Sequence, residues 1–173
     1  MEVLKGFVEG DIEAFETLFR QFQGEVYGWI LYIVRDSGAA EDLTLETFWR
    51  IYQTRTRFDP QASFAPWARR IATNVAIDYL RSRRPEQEFS EDKSPLELPR
   101  DSVVESELRD QIACAFRRLP IKLQVPATLA LIEERSYQEI ADALGKPIGT
   151  IRTRVFRAIR LMRKHLNHVG VKP

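Results

Sequence analysis

From Asp11 to about Arg35 the apolar residues Ile12, Phe15, Leu18, Phe19, Phe22, Val26, Trp29, Ile30 and Ile33 return at steps of three and four. That spacing gives a helix one core-facing stripe. Gly24 and Gly28 weaken the pattern and allow for a break. A second helix is predicted from Ala39 to Thr54 with Leu43, Phe48 and Ile51 inward. A third begins near Ser63, tolerates Pro66 in its first turn, and runs through Trp67, Ile71, Val75 and Leu80 to the arginines at 81, 83 and 84. Further helices are predicted at about 104–118, 121–134, 136–144 and 148–166. No stretch sustains the period-two alternation of a strand, so the predicted fold class is all-α, and there is no internal repeat.

Between Pro85 and about Ser102 the pattern stops. Three prolines (Pro85, Pro95, Pro99) stand among many acids and few apolar residues, the composition of a tether rather than a core. The expected organisation is a helical domain over 1–85, an acidic linker over 86–103, and a second small helical domain of four helices over 104–173.

With 173 residues and 44% hydrophobic content the chain can build cores. Its single cysteine, Cys114, excludes an intrachain disulfide and a cysteine-based zinc site, which fits a reducing compartment. The longest apolar run, Val26 to Val34, is too short to cross a bilayer, and no basic-then-apolar leader opens the chain. A soluble cytoplasmic protein without membrane insertion is expected.

The formal net charge of +1 hides a segregation. Residues 1–64 carry six bases and eleven acids, 65–84 five and one, 85–110 three and nine, 111–144 four and four, and 145–173 eight bases and no acid. Two basic segments separated by an acidic one suggest two contacts with a polyanion, most often a nucleic acid. Solvated helix faces would explain the same charges equally well.

The C-terminal third is more specific. Ser136-Tyr137-Gln138-Glu139 is a capping box that should start a helix. Gly145 suits the left-handed exit that ends it, and three residues later the basic helix begins. A small Ala141 at the crossing and an apolar Ile151 anchoring the second helix complete a helix-turn-helix. Projected at 100° per residue, Ile148, Ile151, Val155, Ala158, Ile159, Met162 and Leu166 share one arc. Thr150, Thr153, Arg157, Arg160 and Lys164 lie opposite, with Arg152 and Arg154 flanking, as a helix entering a major groove requires.

Here the chain resembles the extracytoplasmic-function (ECF) sigma factors, the exchangeable promoter-recognition subunits of bacterial RNA polymerase. The stretch "SYQEIADALGKPIGTIRTRVFRAIR" at 136–160, with "LP" at 119–120, resembles region 4, which binds the minus-35 element. "AAEDLTLETFWRIYQTRTRFD" at 39–59 resembles region 2.2, and "SFAPWARRIATNVAIDYLRSRRP" at 63–85 resembles regions 2.3 and 2.4. The resemblance implies that Arg152, Thr153, Phe156 and Arg157 read minus-35 bases. Gly149, Thr150, Arg154, Tyr137 and Gln138 would hold phosphates, and Arg160 belongs to the same minus-35 DNA-binding set. Asn74 would read a flipped minus-10 base, with Phe58, Ser63, Phe64 and Trp67 lining its pocket or wedging the duplex. Arg69, Arg70, Arg81, Arg83 and Arg84 would lie on the backbone. A base out of its stack needs an apolar slot and an edge-reading amide, which agrees.

The resemblance also implies partners. Asp42, Glu46, Arg50 and Gln53, three or four residues apart on one face, would dock on the clamp helices of the polymerase beta-prime subunit. Region 4 would meet the beta flap, the acidic linker would mimic nucleic acid near the active centre, and an anti-sigma factor would sequester the chain. The acidic segments are expected to limit nonspecific DNA binding until polymerase aligns both domains. Three positions depart from the family pattern: Leu45 where glutamine is usual, Pro147 where a capping serine is usual, and Pro126, expected to kink or shorten its helix.

Two other readings compete. Asp42 with Glu46 and Glu139 with Asp142 are carboxylate pairs that a metal-dependent nuclease could use. A third ligand is missing, Glu139 is spoken for by the cap, and His165 and His168 sit too near a fraying end for zinc. Nor is there a Walker loop or a nucleophile elbow, so no catalytic residue, metal or cofactor is expected. A stand-alone regulator would use the C-terminal helices on duplex DNA, but has no need of an aromatic loop at 58–67 followed by an arginine-rich helix.

Overall fold

The computed structural model describes residues 2–83 and 111–168. The predicted tether, the start of the helix expected at 104, Arg84 and the last five residues lie outside them. The described residues form α1 (Glu2–Glu9), α2 (Ile12–Val34), α3 (Ser37–Gln53), a short 3-10 turn at Arg55–Arg57, and α4 (Phe64–Arg83). The helical residues 111–117, here α5, are followed by α6 (Ile121–Leu131), α7 (Tyr137–Leu144) and α8 (Ile148–His168). There is no strand among the described residues, in agreement with the all-α expectation.

Two helix boundaries are set by aspartates. Asp11 accepts from the backbone N–H of Glu13 at 2.9 Å and starts α2; Asp36 accepts from that of Ala39 at 2.9 Å and starts α3, each satisfying an orphan donor of a first turn. α2 runs unbroken through Gly24 and Gly28. Around each of them nothing approaches within 4 Å of where a Cβ would sit, so the glycines lower propensity without creating a break. Pro126 lies inside α6, which ends at Leu131 rather than near 134.

α1 was not legible in the apolar pattern, being only two turns long. Its Phe7 is fully buried and meets Phe58, Phe64 and Trp67 at ring-centroid distances of 6.3, 5.8 and 6.3 Å. It thereby fastens the loop before α4 from below. In α3 the buried Thr44 and Thr47 hydroxyls donate to the carbonyls of Ala40 and Leu43, one turn back, at 2.6 and 2.7 Å, which lets polar side chains face a core.

The two halves do not stand apart. α4 packs along α7, and α2 and α4 pack on α6. One buried cluster joins Trp29, Ile30, Ile33, Ala72 and Val75 of the first half to Val125, Leu129, Ile140, Ala141, Ile151 and Val155 of the second. A smaller core of Ala115, Leu119, Leu123, Ala127, Ala158 and Met162 belongs to the second half alone.

Candidate nucleic-acid interface

Ser136 and Glu139 make the predicted capping box. The Ser136 hydroxyl accepts from the Glu139 N–H at 3.2 Å, and the Ser136 N–H donates to the Glu139 carboxylate at 3.2 Å. Hydrogen bonds from the Ser136 hydroxyl and backbone, assisted by Arg135 and Arg69, hold the Glu139 carboxyl below its ordinary value against the opposing effect of partial burial. Gly145 ends α7 with φ +58°, and the Lys146 N–H closes the turn on the Ala141 carbonyl at 3.0 Å. Pro147 supplies no side-chain cap; its carbonyl accepts from Thr150 and Ile151 at 2.9 and 3.3 Å.

This turn fixes the roll of α8. Ile151, Val155, Ala158 and Met162 are buried, whereas Arg152, Thr153, Phe156, Arg157 and Arg160 are exposed. Phe156 is 67% exposed, a large ring held in water with nothing to cover it. Thr150 and Arg154 are half-buried at the edge, and the Thr153 hydroxyl donates to the Gly149 carbonyl at 2.9 Å. Lys122, from the first turn of α6, joins Gly149, Thr150, Arg154 and Arg157 around one groove. No helical-wheel argument on α8 could have found it, because it arrives from another helix. Tyr137 and Gln138 are exposed at the start of α7, and Gln138 donates to Asp142 at 2.9 Å.

α4 carries the other candidate face. Trp67, Arg70, Asn74 and Arg81 follow each other at helical steps of three, four and seven, one stripe on the outer side; Asn74 and Arg81 are exposed and Trp67 is half-buried. Phe58 and Phe64, which the resemblance implies line the minus-10 pocket or wedge the duplex, are set in the buried cluster. Both are 4% exposed, and Phe58 packs against Trp67 at 4.9 Å between ring centroids, so their rings form the floor beneath Trp67. Ser63 is exposed in the loop but lies eleven residues, about 16 Å of helix, from Asn74; the structure does not bring these two together.

The arginines of α4 divide. Arg69 is engaged by Glu25 at 2.5 Å and Glu139 at 3.7 Å and lies over the Trp29 ring at 5.4 Å. Arg83 approaches Asp36 at 3.5 Å and lies over Tyr79 at 5.2 Å. Arg70 touches the position where a Cβ on Gly145 would be, at 3.1 Å.

On α3, Asp42, Glu46 and Gln53 are exposed and Arg50 half-buried. Arg50 binds Glu46 at 2.6 Å and Asp78 at 3.2 Å. Partial burial works against its charge, yet these carboxylates outweigh that and raise it above its ordinary value. Beside this polar stripe stand Leu45, 61% exposed, and Trp49, 60% exposed, one helical turn apart. The sequence held a signal for Trp49, an aromatic residue off the inward stripe of Leu43, Phe48 and Ile51.

No group of three or more His, Cys, Asp or Glu side chains suited to a metal occurs among the described residues, and no helix among them is long and apolar enough to cross a membrane.

Two family descriptions match the chain: Sigma-70 region 2 over residues 18–86 and Sigma-70, region 4 over residues 109–162. The ECF RNA polymerase sigma factor SigW of Bacillus subtilis is 31% identical over 94% of this chain and 94% of its own. The RNA polymerase sigma-H factor of Pseudomonas aeruginosa is 32% identical over 91% of this chain and 88% of its own. Among solved structures, CnrH in complex with the cytosolic domain of CnrY superposes with a TM-score of 0.61 at 20% identity, covering 96% of both chains. The sigma factor RpoE in complex with the anti-sigma factor NepR from Bartonella quintana gives 0.56 at 20% identity, over 90% of this chain and 98% of that one. These two likenesses establish the fold.

Proposed function

The chain belongs to the ECF class of the sigma-70 family and is a promoter-recognising sigma factor, and on that premise we propose how its residues divide the work. α8 enters the major groove at minus-35, with Arg152, Thr153, Phe156 and Arg157 on base edges. The start of α7 at Tyr137 and Gln138, the start of α8 at Gly149 and Thr150, and the side chains of Arg154, Arg160 and Lys122 hold the flanking phosphates.

The stripe on α4 takes the minus-10 strand. Asn74 offers an amide that can both donate and accept, which suits the edge of an extruded base. Trp67, floored by Phe58 and Phe64, provides a ring to stack on, Ser63 a hydroxyl at the loop, and Arg69, Arg70, Arg81, Arg83 and Arg84 the charge that tracks a backbone.

The α3 face docks on the beta-prime clamp helices of core polymerase. Asp42, Glu46, Arg50 and Gln53 set register and charge complementarity, and Leu45 with Trp49 supplies the apolar anchor that the polar stripe lacks. The beta flap and an anti-sigma factor are further partners. The protein performs no chemistry of its own, needs no cofactor, and works in the cytoplasm where polymerase is.

The observation that carries this reading is the pairing, on one chain, of a basic recognition helix with a second basic, aromatic-floored helix. The test is transcription reconstituted with bacterial core polymerase from a pool of promoter-like DNAs. Run-off product that depends on this protein and collapses in Asn74→Ala and Arg157→Ala is the expected result. Duplex binding without any engagement of core enzyme would replace it with the stand-alone regulator.

A further inference from the structure

Thr73 is next in sequence to Asn74 and is fully buried in α4. A buried hydroxyl needs partners. Thr44 and Thr47 of α3 find theirs by donating to their own helix. Thr73 does the same, donating to the Arg69 carbonyl one turn back at 2.7 Å, and it then accepts the Nε1–H of Trp29, from α2, at 2.9 Å. The bond to Arg69 holds the threonine in one rotamer, so the oxygen's remaining lone pair faces α2.

The other buried residues of α4 cannot set its roll as sharply. Ala68, Ala72, Val75 and Ala76 are buried on either side of Thr73 in sequence, and all are short. Their contacts with neighbouring helices are non-directional, and side chains this small leave shallow ridges for a partner to lock into. A hydrogen bond between two buried side chains has a preferred direction. Its far end is firm, because α2 packs on both α3 and α4 and is tied at its C-terminal end by Arg35, which pairs with Glu133 at 2.5 Å.

Asn74 stands about 100° round the helix from Thr73 and is exposed. No side-chain hydrogen bond to another described residue holds its amide, so the helix aims it. Side-chain tips lie about 5–6 Å from a helix axis, and a roll of about 10° therefore carries the amide about 1 Å. Hydrogen bonds to a base edge lose their discrimination over an error of that size.

With Asn74 as the minus-10 base reader, a reading on which this inference rests, we propose that Thr73 and Trp29 are positioning residues. Their hydrogen bond sets the roll of α4 on α2, and so the angle at which Asn74 meets the extruded base. Without it the indole N–H is buried and unpaired, and α4 turns on its short side chains until that N–H is satisfied. The amide turns with it. Loss of the bond therefore weakens the choice of base, while attraction for the strand, which rests on phosphate contacts, is kept.

The test measures binding of core polymerase carrying the full chain to single strands of the minus-10 sequence from a promoter that the wild-type protein uses, with each base substituted at each position. Asn74→Ala identifies the position it reads, as the one at which preference is lost. Thr73→Val keeps the side-chain shape without the hydroxyl and is expected to reduce preference at that same position about tenfold, leaving the other positions as in wild type. Thr73→Ser, which keeps the hydroxyl, keeps the preference. In an Asn74→Ala background Thr73→Val has nothing further to remove at that position, a result that general loosening of the fold does not give. If Thr73→Val loses its helical circular dichroism, Trp29→Phe removes the donor instead and is expected to show the same selective loss. A folded Thr73→Val that keeps its preference where Asn74→Ala has lost it, or that loses preference evenly at all positions, overturns the proposal alone. An Asn74→Ala protein with wild-type preference at every position overturns the reading of Asn74, and the proposal with it.

Discussion

Arg135 lies over the indole of Trp29, 5.6 Å from its centroid, and Arg69 lies over the same indole at 5.4 Å. One ring, 3% exposed, thus takes a cation from each half of the molecule, while its Nε1–H donates to the Thr73 hydroxyl at 2.9 Å. Removing it as Trp29→Ala should cost about 3–5 kcal/mol and leave two guanidiniums without their apolar cover. Thermal or urea unfolding of the full chain measures this, and a loss below about 1 kcal/mol would show that the ring is not central to the core.

Glu139 gives the stability a pH dependence. Its carboxyl is held below its ordinary value of 4.5 first by the Ser136 hydroxyl, then by the Ser136 backbone, with Arg135 and Arg69 adding to them. A carboxyl depressed in the folded chain stabilises above its unfolded value, and that contribution disappears as pH falls through the folded value. Stability should therefore decline as the pH is lowered below about 4.5, and Glu139→Gln should be less stable near neutrality with a shallower acid limb. Melting temperatures of both proteins across the acid range decide it; parallel curves would remove Glu139 from the account.

Base readers and phosphate holders separate by salt. Arg157→Ala should lose about 1–3 kcal/mol of preference for the cognate minus-35 duplex over a scrambled one. Lys122→Ala should weaken both duplexes alike and reduce the slope of log affinity against log salt by about one. Titrations at several salt concentrations with each variant tell them apart, and a sequence-selective effect of Lys122→Ala would put it among the base readers.

Trp49 stands 60% exposed beside Leu45, so it contributes little to the fold. Trp49→Ala should leave the unfolding midpoint close to wild type yet weaken binding to core polymerase at least tenfold, as the loss of a central aromatic anchor does. Unchanged association with core enzyme would return the docking energy to Asp42, Glu46, Arg50 and Gln53.

The sequence was most readable where a local rule governs. The capping box at Ser136, the left-handed Gly145 and the inward arc of Ile151, Val155, Ala158 and Met162 all follow from neighbours within one or two turns. The resemblance named residues for two promoter faces, and several of them, Asn74, Arg152, Phe156 and Arg157 among them, are exposed. Spacing on a helix cannot say that Phe58 and Phe64 are covered, because what covers them is Phe7, about fifty residues away. Lys122 and the Arg35–Glu133 pair were hidden for the same reason, the latter spanning 98 positions. Ile12, placed by periodicity on the inward stripe, is 61% exposed; at the first position of α2 there is no layer above it to close over the side chain.

Val125, Leu129, Ile140 and Ala141 are buried in the same cluster as Trp29, Ile33 and Ala72. A promoter-reading module grafted from a relative would have to bring its own matching surface. Chimeras that join the first half of this chain to the second half of a sigma factor with different residues at those positions should leave this seam badly packed and be poorly soluble. The two halves are fitted to each other along that seam.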